Sequence, residues 1–231
     1  MEQLPNGYTL EPAEGCFPLS TDSMLLAHFV RLPRNAQVLD LGSGCGTLGL
    51  LLCAKDESCT VTGLEISETA HWAALENIRR NGLASRMNSI CADLRDFGAE
   101  SAGAFHCCVS NPPYFSGGPA NLVTPVARRD DFCPPAALFQ TASKALRYGG
   151  DFFLVHKPER LAQLIACGAA VCLEAKNLTL IRHRDGGPIT LILLQFRKGG
   201  KSGLQIHEQS LFDIQGKPTA YYRDVYHIQG D

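Results

Sequence analysis

Gln37-Val-Leu-Asp-Leu-Gly-Ser-Gly-Cys-Gly46 is the stretch on which the fold turns. Its first five residues make an apolar run with the length and branching of a buried strand. Gly42, Gly44 and Gly46 then let the backbone come close to a ligand where a Cβ would intrude. Thr47 to Ala54 reads as a helix, and amides at its N-terminus can receive a polar or anionic group. Cys59-Thr-Val-Thr-Gly-Leu64 is a second strand that ends at Glu65. A carboxylate roughly 20 residues past a glycine turn can accept hydrogen bonds from ribose hydroxyls. A plain tight turn with Glu65 as a solvated acid is the simpler alternative. It accounts for neither the glycine density nor the placement of the acid. The spacing is G-x-G-x-G, unlike the dinucleotide G-x-G-x-x-G, and the loop holds no basic residue. A nucleoside cofactor without a pyrophosphate therefore fits better than NAD, and an NAD oxidoreductase is the weakest alternative.

Outward from this stretch, strands and helices alternate. Ser67 caps a helix with Ala70, Ala74 and Ile78 on one face, ended by Asn81-Gly82. Met87 to Cys91 and Phe105 to Ser110 are the third and fourth strands, and the Pro/Gly-rich stretch 111–125 is loop. Pro134-Pro135 opens a helix with Leu138, Ala142, Ala145 and Leu146 inward, and Gly149-Gly150 closes it. Asp151 to His156 is a fifth strand, and Pro158 starts a helix reaching Gly168. Val171 to Ile181 and Ile189 to Phe196 form a last hairpin about Asp185-Gly-Gly-Pro188. The order predicts an α/β chain: a doubly wound, mostly parallel seven-stranded sheet with a terminal antiparallel hairpin. Residues 36–202 are its core, 1–35 an N-terminal extension, and 203–231 a tail that packs through Tyr221, Tyr222 and Tyr226.

Composition narrows the classes. Of 231 residues, 45% are hydrophobic and 19% charged, with a net charge of −2. That supports a large core and excludes both global disorder and a uniformly basic nucleic-acid binder. The ten cysteines form no C-x-x-C pair, and none of His28, His71, His106, His156, His183, His207 and His227 stands at ligand spacing, so no metal is expected. No apolar run approaches the roughly 18 residues of a membrane span. The N-terminus, Met1-Glu-Gln-Leu-Pro-Asn-Gly, does not read as a secretory leader. A reducing, cytoplasmic setting is the expectation.

Asn111-Pro112-Pro113-Tyr114 follows the fourth strand at its carboxyl end, where open α/β sheets present their ligands. The prolines stiffen the backbone and remove donors. Two carbonyls, the Asn111 side chain's and the Pro112 backbone's, are then available to the two N–H bonds of a planar amine, and Tyr114 offers a ring for stacking. Such acceptors localise the nitrogen lone pair and stabilise the positive charge that grows on it. An incidental proline turn is the alternative.

These two motifs resemble motif I and motif IV of the S-adenosylmethionine-dependent amino methyltransferases. The whole chain resembles the bacterial tRNA(Val) adenine-37 N6-methyltransferase family, of the Rossmann-like class I. Pro18-Leu-Ser-Thr-Asp-Ser-Met-Leu-Leu26 is similar to its Thr-Asp element, which packs over the cofactor, and Ala127-Arg128 to an Ala-Arg pair in its substrate-side loop. The resemblance implies S-adenosyl-L-methionine held by Thr21, Asp40, Gly42, Gly44, Gly46, Glu65, Asp93 and Asn111, with Asp93 on the adenine amino group. It implies Asn111, Pro112 and Tyr114 as catalytic residues, Tyr114 and Arg128 against the substrate, and tRNA as the partner. Asp93 has a rival reading as a turn cap before Arg95. Lys176, Arg182, Arg184, Arg197, Lys198 and Lys201, and separately Arg79, Arg80 and Arg86, are candidate phosphate contacts or simply solvated faces. Competing assignments are a protein glutamine N5-methyltransferase, which carries a helical N-terminal domain, a guanine-N2 rRNA methyltransferase, and a catalytically silent RNA- or protein-binding scaffold.

Overall fold

Alternating β-branched runs and apolar-faced helices can bury both sheet faces only by layering helices on each side, and the computed structural model does so. It describes residues 1–4, 7–13, 19–97, 101–112 and 134–227. A two-residue pair, β1 (Glu2–Gln3) and β2 (Thr9–Leu10), precedes helix α1 (Thr21–Phe29). Then come β3 (Gln37–Leu41), α2 (Thr47–Lys55), β4 (Thr60–Glu65), α3 (Glu68–Arg80), β5 (Met87–Cys91) and β6 (Phe105–Ser110). Helix α4 (Pro135–Ala145) leads into β7 (Leu146–His156). A single 3-10 turn at Pro158–Arg160 leads into α5 (Leu161–Ala170). The chain ends with β8 (Leu173–Arg184), β9 (Ile189–Lys198), β10 (Gln205–Phe212) and α6 (Ala220–Val225).

The main sheet has the order β10-β8-β9-β7-β6-β3-β4-β5. β3, β4, β5, β6 and β7 run parallel, and β9 is antiparallel to both its neighbours. Successive residues of β3 serve opposite cores. Val38 packs with Leu50 and Leu52 of α2, Leu25 and Leu26 of α1, and Ile78 of α3. Leu39 and Leu41 pack with Leu138 and Phe139 of α4 and Leu164 of α5. From β3 the chain winds outward through β4 to β5, and from β6 it winds the other way. The β3–β6 junction is thus the point where the winding reverses, and in open α/β sheets it is at the carboxyl ends of the strands flanking such a point that ligands are bound.

Two expectations are corrected. The helix opened by Pro134-Pro135 stops at Ala145, and Gly149-Gly150 lies inside β7. The pairing of β6 with β7 slips there between Phe105 and Cys107, and a Cβ on Gly150 would meet the His106 carbonyl oxygen at 2.9 Å. The glycine pair makes a bulge instead of a helix stop. The sheet also has eight strands, one more than expected, because the tail adds β10 parallel to β8. Gln205-Ile-His-Glu-Gln209 is mostly exposed at the sheet edge, so it carries little of the apolar patterning by which strands are recognised.

Candidate functional site

At the end of β3 the backbone turns back on itself through glycines that adopt left-handed geometry. Gly42, Gly44 and Gly46 have φ of +74°, +55° and +86°, which side chains with a Cβ rarely accept. The Gly42 and Ser43 amides both donate to the Leu64 carbonyl, at 2.9 and 3.1 Å, which stitches the loop to β4. A Cβ on Gly63 would sit 2.6 Å from Ser43 Oγ, so the glycine within β4 is there for the loop to close down on it. Glu65 Oε2 accepts the Gly44 amide at 2.8 Å, and its Oε1 accepts the Ser67 amide at 2.8 Å. Each of these oxygens has a further lone pair with which to take a hydroxyl.

Beneath the loop, Asp40 is 1% exposed and neither carboxylate oxygen has a hydrogen-bond partner; the buried Ser43 hydroxyl is likewise unpaired. Burial first, and the nearby Glu65 charge second, push the Asp40 carboxyl up to about 8. Unsatisfied buried acceptors under a glycine cradle are what a polar, cationic ligand would complete. The residues therefore fit the amino-acid and ribose portions of a nucleoside cofactor.

At the end of the neighbouring β6, Ser110 Oγ donates to the Leu41 carbonyl at 2.7 Å and joins the two strand ends. Asn111 follows, half-buried, and its Nδ2 donates to Ser23 Oγ of α1 at 3.0 Å. Pro112 is buried. Thr21 opens α1, and its Oγ1 accepts the Tyr226 hydroxyl at 3.1 Å. Asp93 lies just past β5, with Oδ1 accepting the Arg95 amide at 2.8 Å and both oxygens gripped by the Arg95 guanidinium, which holds its carboxyl below the usual range. That geometry matches the turn-cap reading of Asp93. Tyr114 and Arg128 lie outside the described residues.

Two contributors escaped the sequence reading. Ser23 is one. The other is the fully buried Asn77 of α3, whose Nδ2 donates to the Cys45 carbonyl in the glycine loop and to the Glu11 carbonyl, both at 3.1 Å. Its Oδ1 accepts the Glu11 amide at 2.9 Å. A polar residue on the Ala70–Ala74–Ile78 side of a helix was the available signal.

The basic clusters are largely spent within the molecule. Arg79 and Arg80 pair with Glu76, Arg80 also with Glu11, Arg197 with Asp151 and Arg182 with Glu208. Arg86 and Lys198 donate to backbone carbonyls. Among the described residues no group of His, Cys, Asp and Glu could hold a metal ion, and no helix is long and apolar enough to cross a membrane.

A family profile described as "Methyltransferase small domain" matches residues 19–165. The chain is 24% identical over 224 residues, 92% of its own length and 92% of the relative's, to the tRNA1(Val) (adenine(37)-N6)-methyltransferase of Photobacterium profundum. Among solved structures it is similar to a predicted O-methyltransferase, protein Atu636 from Agrobacterium tumefaciens. That match has a TM-score of 0.76 and 23% identity, over 90% of this chain and 96% of that one. It is also similar to the geranyl diphosphate C-methyltransferase of Streptomyces coelicolor A3(2), solved with Mg2+, geranyl diphosphate and S-adenosyl-L-homocysteine. Here the TM-score is 0.56 and the identity 12%, over 76% of each chain. The likenesses to solved structures establish the fold.

Proposed function

The chain belongs to the methyltransferase small domain family, and on that premise we propose that it methylates N6 of an adenine in tRNA, at position 37, using S-adenosyl-L-methionine. One observation carries this reading. Asn111, the first residue of Asn-Pro-Pro-Tyr, stands at the end of β6 beside the glycine loop of β3, with its side-chain amide held by Ser23.

When bound, S-adenosyl-L-methionine supplies a methyl group already activated by a sulfonium. The chain's own residues bind and align. Glu65 takes the ribose hydroxyls, the glycine loop admits the ligand to within backbone distance, and the Asp40 carboxyl beneath it gives up its proton to solvent as the cationic ligand arrives. The carbonyls of Asn111 and Pro112 accept the two N–H bonds of the adenine amino group and steady the charge that develops on nitrogen, which then loses a proton to water. In-line alignment of an activated methyl needs no strong base. The adenine must leave its stack to reach the crevice, at a cost of a few kcal/mol, and Tyr114 would offset part of that by stacking.

The name borne by the curated relatives supports adenine in tRNA as the acceptor. The free cysteines among the described residues, Cys45, Cys53, Cys59, Cys107 and Cys108 buried with them, support a reducing, cytoplasmic compartment. The test is incubation of the purified protein with radiolabelled cofactor and, separately, total tRNA, rRNA and cell protein, followed by mass spectrometry of the labelled product. N6-methyladenosine at tRNA position 37 is expected. Label in glutamine or in N2-methylguanosine would overturn the substrate assignment. Calorimetry showing no cofactor binding would favour a silent scaffold.

A further inference from the structure

Ser23 and Asn111 are 88 positions apart, yet Asn111 Nδ2 donates to Ser23 Oγ at 3.0 Å. Ser23 is only 6% exposed, so water does not readily take over if the hydroxyl is removed. The hydroxyl is itself held. Ser20 Oγ lies 3.2 Å from it and caps α1 by accepting the Ser23 amide at 3.2 Å. The helix beneath is anchored as well: Leu25 and Leu26 are fully buried. Lys55 Nζ donates to the Ala27, His28 and Val30 carbonyls at 2.8, 2.8 and 2.7 Å. A fixed element thus carries the group that grips the Asn111 amide.

We propose that Ser23 is a positioning residue for methyl transfer, setting the pose of the Asn111 side chain that receives the substrate's amino group. The inference rests on the role given to Asn111 above. An asparagine amide offers an acceptor at one end and donors at the other, so rotation presents the wrong end to an amine. Displacement of a reacting partner by about an ångström costs up to two orders of magnitude in rate. Ser23 touches neither cofactor nor amine in this scheme, and its influence passes through Asn111 alone.

A double-mutant cycle tests this. Wild type, Ser23→Ala, Asn111→Ala and the double variant are assayed for kcat and KM on an unmodified tRNA transcript with adenine at position 37, with cofactor affinity measured by calorimetry. Ser23→Ala is expected to lower kcat about tenfold, leave cofactor affinity unchanged, and cost nothing further once Asn111 is alanine. An unchanged kcat in Ser23→Ala, an equal loss in both backgrounds, or a parallel loss of cofactor affinity would each overturn the inference. Asn111→Ala at wild-type turnover would instead sink the role of Asn111, and this inference with it. Asn111→Ala crippled while Ser23→Ala is silent sinks the inference alone.

Discussion

The glycine loop after β3 and the asparagine loop after β6 stand at the ends of adjacent strands, but they are held in different ways. The glycine loop is closed from nearby: Leu64 takes two of its amides and Glu65 a third. It keeps its shape through backbone geometry that only glycine adopts comfortably. Asn111 is secured from far away, by a serine on α1, the helix that precedes the first core strand in the chain. A ligand cradle can be written in a short run of sequence because its parts are backbone amides. The orientation of one side chain depends on whatever surface happens to face it.

The contrast can be broken most sharply at Asn111. Asn111→Ala is expected to reduce turnover by at least about a hundredfold, the size of effect seen when a group facing developing charge is removed. Calorimetric cofactor affinity should stay within a few-fold of wild type. Equal losses in both would place Asn111 with the glycine loop and erase the distinction. Glu65→Ala tests the other side. Removing a carboxylate that holds two amides, and on the proposed reading a ribose as well, should weaken cofactor binding at least about tenfold, with kcat largely preserved at saturating cofactor.

Smaller effects sharpen the comparison through stability. Asp40 has its pKa raised to about 8 in the folded chain, against about 4 when unfolded. The folded protein therefore holds a proton that the unfolded chain has lost. This group's stabilising contribution is complete below about pH 4 and drains away as pH rises through about 8. Denaturant titrations of the cofactor-free protein should show that decline, and Asp40→Asn should flatten it; an identical slope in the variant would remove Asp40 as its source. Lys55→Met leaves three carbonyls at the end of α1 to be satisfied by water and should cost about 1 kcal/mol in the same titrations.

The alternation of elements and the left-handed glycine turn were legible in the sequence because each depends on local pattern. Val38 and Leu39 announce a strand buried on both faces, and Gly42 to Gly46 announce a left-handed turn. Gly149-Gly150 was misread as a helix stop because a bulge and a helix terminus draw on the same conformational freedom of glycine. β10 was missed because an edge strand needs only one partner and shows polar side chains to water. The serine that grips Asn111, the Asn77 bridge from α3 to the glycine loop, and the Arg95 pairing that occupies Asp93 belong to the tertiary structure. Hydrogen-bond geometry is decided within a few tenths of an ångström, and spacing along a chain carries no information about which distant side chains are brought that close.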